Sequence, residues 1–190
     1  MSIVISIRKL VAFTSEHQKA LGDSGYTSCY SYQVEKKISV DTIVIKLQRY
    51  RLEKPYSKRW HVDQETIAHY HELISQGYSW GSFDQECLVG VMIVEKRAWN
   101  NSFWIDYIEV VKSYQGRGIG SQLLATLIEE AKQEQVRVIT LETQNTNGDA
   151  IDFYQRNGFE LDGLNMTLYD AEHGKEIAIF LSKRIEFFPE

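Results

Sequence analysis

A glycine-rich stretch in the second half of this 190-residue chain indicates both a turn geometry and a ligand chemistry. It reads Val110-Val111-Lys112-Ser113-Tyr114-Gln115-Gly116-Arg117-Gly118-Ile119-Gly120-Ser121. Glycine tolerates positive φ and lets a ligand approach the backbone closely. A helix that begins in such a loop directs its N–H groups and the positive end of its dipole towards the loop. The stretch therefore predicts an anion site suited to a pyrophosphate.

The segments on either side of this loop predict a strand–helix–strand unit. Phe103–Val111 has the pattern of a strand, and Val136–Leu141 is a second strand with little polar content. Between them, apolar residues recur at the spacing of one helix face: Ile119, Leu123, Leu124, Leu127, Ile128 and Ala131. A strand, a crossover helix and a second strand form a right-handed βαβ unit with parallel strands.

Neighbouring segments extend this unit in both directions. Leu88–Val94 predicts a strand antiparallel to Phe103–Val111, because only the short turn Ala98–Ser102 joins them. In the first half of the chain, Ile38–Lys46 predicts a β-branched strand. Gln64–Gln76, preceded by Asp63 as a potential N-cap, predicts a helix.

Three elements are predicted near the end of the chain. Asp149–Asn157 predicts a short helix that Gly158 closes in a left-handed cap. Met166–Tyr169 and Glu176–Ser182 predict a terminal hairpin around His173-Gly174. The predicted fold class is α/β, with a central mixed β-sheet flanked by helices and one βαβ cofactor-binding unit.

Composition narrows the class of protein. The formal net charge is -5, whereas nucleic-acid binders usually have a basic patch, so we expect no nucleic-acid partner. Mild acidity either attracts a cationic substrate or only aids solubility. No stretch rich in Pro, Gly or Ser separates two regions, and residues 1–190 are expected to form a single domain.

Cysteine usage and the N-terminal sequence bear on metal, disulfide and membrane chemistry. Cys29 and Cys87 lie far apart and outside any C-x-x-C pair, which argues against a zinc site or a disulfide framework. The apolar run Ile3–Ile7 is broken by Arg8 and is too short for a signal peptide or a membrane helix. We therefore expect a cytoplasmic protein with no membrane partner and no metal.

Two familiar phosphate-binding motifs fit the glycine loop poorly. A P-loop ends in Gly-Lys-Ser/Thr, whereas Gly120 is followed by Ser121 and Gln122. A dinucleotide fingerprint counted from Gly116 and Gly118 places its third glycine at position 121, which is serine here. Both readings are therefore disfavoured.

A third motif fits. Gln115-x-x-Gly118-x-Gly120 resembles the Gln/Arg-x-x-Gly-x-Gly/Ala motif of the GNAT superfamily of N-acetyltransferases. The segment Asn147–Phe159 resembles that family's Asn-x-x-Ala-x-x-Phe-Tyr-x-x-x-Gly-Phe signature, in the family's order. Short segments at 139–144 and 166–169 resemble streptothricin acetyltransferases within the superfamily. The region 51–76, which should contribute to the acceptor site, shows no match.

The resemblance implies a co-substrate and its binding residues. In the family, backbone amides of the glycine loop hold the pyrophosphate of acetyl-CoA, and the strand before the loop presents an N–H to the thioester carbonyl. That strand splays from its parallel neighbour in the family. Asn147 is expected to bond the pantetheine arm or to cap the helix. The expected cofactor-binding residues are Ile108, Val110, Gln115, Gly116, Arg117, Gly118, Ile119, Gly120, Ser121, Asn147 and Tyr154.

Acetyl transfer to an amine requires an acid and a base. The resemblance assigns Tyr154 as the acid beside the CoA sulfur, and a phenol of pKa about 10 does hold its proton at neutral pH. Asp106 and Glu109 are the candidate catalytic bases, and strand alternation predicts that they lie on opposite faces. Glu142, near the end of the next strand, is another option. Each carboxylate could instead bind a cationic acceptor or be a solvated or salt-bridged acid.

The resemblance thus predicts an acetyl-CoA-dependent N-acetyltransferase that modifies a primary amine by direct transfer. The acceptor could be a cationic small molecule such as a streptothricin-like or aminoglycoside antibiotic, a polyamine or an amino acid. A protein or peptide N-acetyltransferase and a non-catalytic acyl-CoA sensor are the alternatives. A homodimer is expected only by analogy with the family. The histidines predict no metal site, because His69 and His71, two apart on a predicted helix, point to different faces.

Overall fold

The computed structural model describes residues 5–169 and 176–186. The chain divides into two compact units that alternate along the sequence. Of the described residues, the first unit takes in 5–24, 60–141 and 183–186, and the second takes in 25–59, 142–169 and 176–182. Neither unit is one continuous stretch of chain. The expectation of a single domain stays a prediction.

The first unit is built on a mixed sheet. Its strands are β1 (Ile5–Lys9), β4 (Trp80–Asp84), β5 (Cys87–Arg97), β6 (Ser102–Val110) and the start of β7 (Val138–Gln144), in the order β1-β4-β5-β6-β7. The pairs β1–β4, β4–β5 and β5–β6 are antiparallel, whereas β6 and β7 are parallel. Helix α3 (Ile119–Gln133) connects those two parallel strands. The predicted α/β class and mixed sheet are confirmed.

Helix α3 packs on the sheet through the predicted apolar stripe. Five of its residues are buried: Ile119, Leu123, Leu124, Leu127 and Ala131. The first of these touches β5 where that strand has Gly90, and a Cβ at position 90 would lie 3.2 Å from Ile119 Cγ2. Glycine at this position therefore lets the start of α3 approach the sheet closely.

Two further helices cover the sheet of the first unit. They are α1 (Ser15–Leu21) and α2 (Gln64–Ser75). The predicted N-cap of α2 is confirmed, because Asp63 Oδ1 accepts a hydrogen bond from the Thr66 N–H at 2.8 Å. Their apolar faces bury a cluster with the sheet: Leu10, Phe13, Leu21, Val62, Ile67, Tyr70, Leu73, Ile74, Leu88, Val91, Ile93 and Tyr107.

The second unit contains a long hairpin and a smaller set of strands around one helix. Strands β2 (Gly25–Ile38) and β3 (Ile43–Arg59) pair only with each other among the described residues. The other elements are the end of β7, α4 (Gly148–Arg156), β8 (Glu160–Asn165) and β9 (Ala178–Arg184, which ends in the first unit), with strand order β7-β9-β8. Gly158 follows α4 with φ of 81°, which is the predicted left-handed cap.

The strand predicted at Ile38–Lys46 was wrong. The chain turns inside that stretch, between β2 and β3, and the Ser39 N–H donates to the Thr42 carbonyl at 2.9 Å. The four residues of the turn include no glycine or proline, the usual signals of a tight hairpin turn. The β-branched residues on both sides of the turn therefore have the sequence pattern of one uninterrupted strand.

The predicted terminal hairpin was partly wrong. Its second strand is present as β9, but its partner is β8 and not Met166–Tyr169. The chain turns after β8, where Asn165 Oδ1 accepts from the Thr167 N–H at 3.0 Å. An Asx-type turn of this kind competes with strand pairing. The predicted turn at His173-Gly174 lies outside the described residues.

Candidate active site

The glycine loop of the first unit has the backbone geometry that its sequence predicts. Gly116 and Gly118 adopt φ of 75° and 81°, a left-handed conformation that strongly favours glycine. The Gln115 side chain folds back, and its Nε2 donates to the Val110 carbonyl at 3.0 Å. This bond closes the loop between β6 and α3.

The start of α3 is prepared for an anion. Gly118 is its N-cap, and the described residues provide it with neither a capping side chain nor an acidic residue in the first turn. The other three α-helices each have both, with Thr14, Asp63 and Asn147 as caps. No described atom lies within 4 Å of a Cβ built at position 116 or 118, so the space beside the loop is open. The residues present therefore fit a pyrophosphate.

The predicted basic and polar loop residues lie around this helix start. Gly120 and Ser121 belong to the first turn of α3. Arg117 lies with its Cζ 5.0 Å from the centre of the Tyr114 ring. The Tyr114 hydroxyl in turn donates to Asp84 Oδ2 at 2.7 Å, which ties the loop to β4.

Within the first unit, the parallel register of β6 with β7 covers only the first part of β6. Its register with β7 runs from Ser102↔Val138 to Ile105↔Leu141. Its pairing with β5 continues as far as Val110↔Gly90. The end of β6 that contains Ile108 and Val110 lies beyond this register, and the splay that the family resemblance implies stays a prediction.

A β-bulge at Asp106 changes the faces of β6. Ile93 pairs with Tyr107 and Val94 pairs with Ile105, so that Asp106 is an extra residue in the described register with β5. A bulge redirects the side chains next to it. Asp106 therefore approaches α2, with its Oδ1 3.7 Å from His69 Nε2, although the adjacent Tyr107 also faces that helix.

The bulge also overturns the predicted placement of the two candidate bases. The Tyr107 ring stacks on the Tyr70 ring of α2 at 5.3 Å, and the Tyr107 hydroxyl donates to Glu109. Burial, and then the charges of Asp106 and Glu109, raise the pKa of Tyr70. Both carboxylates thus lie on the α2 side of β6. The prediction that they occupy opposite faces was wrong, because simple alternation assumes an unbroken register.

Asp106 has the electrostatics of a proton acceptor. Burial raises the pKa of its carboxyl above the usual range, while His69 opposes that shift. Its side chain is still 26% exposed, and the His69 side chain is 51% exposed. A carboxylate with a raised pKa accepts a proton more readily near neutral pH. The sequence singled out Asp106 but not its partner His69, since only tertiary packing brings α2 to this strand.

In the second unit, Tyr154 is buried in an aromatic setting on α4. Its ring makes edge contacts with Phe153 and Phe159, with ring centres 5.1 and 5.6 Å apart. Burial, and secondarily the charge of Glu142, raise the pKa of Tyr154 above its ordinary value. The phenol therefore keeps its proton at neutral pH, as an acid must.

Asn147 has the structural role that was one of its two predicted roles. Its Oδ1 accepts from the Ala150 N–H at 3.4 Å at the start of α4. Its Nδ2 donates to Thr143 Oγ1 at 3.5 Å. Capping is confirmed, and contact with a pantetheine arm stays a prediction.

Glu142 is the third carboxylate that the sequence offers as a candidate base. Burial raises the pKa of its carboxyl, while the Tyr169 hydroxyl, which donates to Oε1 at 2.6 Å, lowers it. Gln144 Nε2 holds the same hydroxyl at 2.7 Å. The sequence marks Tyr169 only as part of a short resemblance, and its contact with Glu142 depends on the turn after β8.

The His, Cys, Asp and Glu side chains of residues 5–169 and 176–186 form no group of three or more that could hold a metal ion. Cys29 and Cys87 are both free and exposed. None of the described helices is long and apolar enough to cross a membrane.

Comparison with known proteins identifies the family. Residues 46–159 match the family described as "Acetyltransferase (GNAT) family". The chain belongs to the GNAT family. It is therefore an acyltransferase, and the glycine loop and the Asn147–Phe159 segment both lie within the matched residues.

Individual relatives within the GNAT family differ from this chain at most aligned positions. The chain is 30% identical to streptothricin acetyltransferase A of Bacillus subtilis over 131 residues, which are 68% of this chain and 74% of that protein. It is 29% identical to N-alpha-acetyltransferase 30 of Schizosaccharomyces pombe, over 68% of this chain and 80% of that protein. A crystal structure described as a streptothricin acetyltransferase from Bacillus anthracis with acetyl coenzyme A has a TM-score of 0.73 at 23% identity, covering 97% of this chain and 99% of that one. This last likeness concerns the fold.

The raised pKa of Asp106 has a consequence for stability. Because the folded-state pKa lies above that of the unfolded chain, the ionised carboxylate destabilises the folded protein once the pH exceeds the folded-state pKa. We expect Asp106→Asn to unfold at a higher urea concentration than the wild type at pH 8. The difference should shrink as the pH falls through the folded-state pKa, because the wild-type carboxyl is then neutral.

The measurement is a series of urea unfolding curves followed by tryptophan fluorescence. Asp162→Asn serves as the control, because Asp162 lies on an exposed position of β8. A variant less stable than the wild type at pH 8 would contradict the assigned burial cost of Asp106.

Proposed function

We propose that this protein transfers an acetyl group from acetyl-CoA to a primary amine of a cationic small molecule. The observation that supports this most directly is the start of α3, where a glycine N-cap in left-handed conformation, no acidic first turn and open space occur together. Family membership adds the reaction type. The relative described with acetyl coenzyme A supports the identity of the donor.

The residues that would hold the donor follow from the loop geometry and the family motif. The backbone N–H groups from Gly116 to Ser121 would bind the pyrophosphate, where the helix dipole favours negative charge. Arg117 would add a charged contact. Ile108 and Val110 would offer backbone groups of diverging β6, and Asn147 would contact the pantetheine arm. When bound, acetyl-CoA supplies a thioester, which is an activated acyl group.

The remaining steps are proton transfers and charge stabilisation by this chain's own residues. A carboxylate takes a proton from the ammonium form of the acceptor, so that its nitrogen lone pair is available. A backbone N–H at the end of β6 stabilises the negative charge that develops on the carbonyl oxygen. As the C–N bond forms and the C–S bond breaks, Tyr154 would give its proton to the departing sulfur and regain one from the newly bonded nitrogen, a role that rests on the family motif.

We assign Asp106 as the first candidate for the base. Its pKa is raised, it remains partly exposed, and its neighbour His69 is half exposed. Glu109 is the second candidate, but its carboxylate already accepts the Tyr107 hydroxyl. Glu142 is the third, and it accepts the Tyr169 hydroxyl.

The acceptor class rests on the relatives and on charge. Streptothricin acetyltransferases are named for a small antibiotic substrate, and the formal charge of -5 favours a cationic molecule over an anionic one. A protein N-terminal amine is the second candidate, because N-alpha-acetyltransferase 30 is nearly as similar in sequence.

An amine panel tests the proposal. The protein is incubated with acetyl-CoA and streptothricin, an aminoglycoside, spermine or a short peptide with a free N-terminus, and released thiol is measured. Thiol release that is much faster with a cationic small molecule than with the peptide supports the proposal. The reverse preference would favour protein acetylation. CoA binding without thiol release from any amine would indicate a sensor.

The loop geometry predicts the effect of Gly118→Val. A side chain at this position would occupy the space beside the helix start and would be strained at φ of 81°. We expect the dissociation constant for CoA, measured by calorimetry, to rise by roughly tenfold or more, about 1.4 kcal/mol.

A matched control separates strain from ligand contact. Gly77→Val imposes the same strain, since Gly77 has φ of 85° and open space, but it lies at the end of α2. We expect Gly77→Val to lower the melting temperature by a similar amount and to leave CoA affinity unchanged. Equal losses of affinity in both variants would mean that the loop does not bind the ligand.

The assigned acid role predicts a selective defect in Tyr154→Phe. The substitution removes the proton donor and keeps the buried ring that packs on Phe153 and Phe159. We expect kcat to fall by roughly 100-fold, the scale of general acid catalysis, with little change in CoA affinity. Phe153→Tyr is a control for ring packing. Unchanged turnover in Tyr154→Phe would rule out the acid role.

A further inference from the structure

The hairpin arm, defined as Gly25–Arg59, presents apolar side chains to solvent at its tip. The tip comprises Ile38–Ile45, and its aliphatic residues are exposed to unusual degrees: Ile38 67%, Val40 99%, Ile43 65%, Val44 50% and Ile45 45%. Within the described residues, β2 and β3 form a sheet of their own. An exposed apolar ribbon with open edges normally marks an interaction surface or an aggregation hazard.

Contacts with other residues of the second unit hold the base of the arm. No contact of this kind is described for the tip. The Tyr32 N–H donates to the Asn145 carbonyl at 2.8 Å. Arg49 forms an ion pair with Asp152 at 2.6 Å, and its guanidinium lies 3.5 Å from the centre of the Tyr30 ring. Two strands alone are marginally stable in water. The tip therefore gains most from a partner.

Charge indicates which partner fits. The arm contains eight basic residues (Lys36, Lys37, Lys46, Arg49, Arg51, Lys54, Lys58 and Arg59) and three acidic ones (Glu35, Asp41 and Glu53), for a net charge of +5. The whole chain has a charge of -5, so the residues outside the arm sum to -10. Within the part of the chain that the structure describes, Lys36, Lys37 and Lys46 form no ion pair.

We propose that the hairpin arm docks on the acidic remainder of a second copy of this chain, in a reciprocal homodimer. A two-fold arrangement places each arm on the body of the other copy, because such an interface is self-complementary. Pairing the two arms edge to edge would instead place +5 against +5, which charge repulsion disfavours. The aliphatic tip supplies the apolar contact, and the lysines behind it supply the charge complementarity.

Sedimentation equilibrium of the full chain tests the dimer. We expect a concentration-dependent monomer–dimer equilibrium that shifts towards monomer as salt increases, because the charges involved are screened. The double variant V40D/I43D should raise the dimer dissociation constant by roughly tenfold or more. Both side chains are exposed, so the monomer fold should be retained, and circular dichroism checks this. Val11→Asp, at a position 90% exposed outside the arm, is the matched control and should leave the dissociation constant unchanged.

A crosslinking experiment distinguishes the arrangement. A photoreactive benzoyl-phenylalanine placed at position 40 should crosslink to peptides from outside Gly25–Arg59 of the second copy. Crosslinks from arm to arm would overturn the reciprocal arm-to-body arrangement.

Other outcomes would overturn the proposal and assign the tip elsewhere. If the wild-type chain stays monomeric over a roughly 100-fold range of protein concentration, up to the highest soluble concentration, it forms no such dimer. Binding of that monomer to vesicles of anionic phospholipid, or to duplex DNA, with loss in V40D/I43D, would assign the arm to a membrane surface or to a nucleic acid. A dimer insensitive to V40D/I43D would place the interface on another surface.

Discussion

The hydrogen bonding of β6 is the constraint on which the first unit depends. This strand keeps its ladder with β5 as far as Val110, and its parallel register with β7 in the first unit covers Ser102 to Ile105. Backbone groups of a strand that no neighbouring strand pairs must be satisfied by water or by a ligand. The chain then enters the glycine loop and the start of α3 directly. The site proposed for an activated acyl group depends on these adjoining features.

The sequence predicts those features that depend on local geometry. The glycines at 116 and 118 are needed for positive φ, and both have it. The apolar stripe of α3 and the N-cap at Asp63 follow from spacing and side-chain chemistry alone. The antiparallel β5–β6 pair follows from the shortness of its connection.

Features that arise between distant segments are not predictable in this way. The bulge at Asp106 exists because β5 and β6 differ by one residue in register, which no local pattern records. His69 meets Asp106 only because α2 packs on the sheet. The turn at 39–42 lies within a run of strand-forming residues, so propensity alone misled. The identity of the acceptor belongs to the same class, since it depends on side chains from several segments.

The bare start of α3 has a consequence for the energetics of the free protein. A helix without a capping side chain begins with N–H groups that only water can satisfy, and such a first turn frays readily. In the proposed complex, a bound diphosphate would take the place that Thr14, Asp63 or Asn147 occupies at the other helices, and so would act as the missing cap. Part of its binding energy would then go into completing the helix, which would couple local folding of this turn to occupancy of the loop.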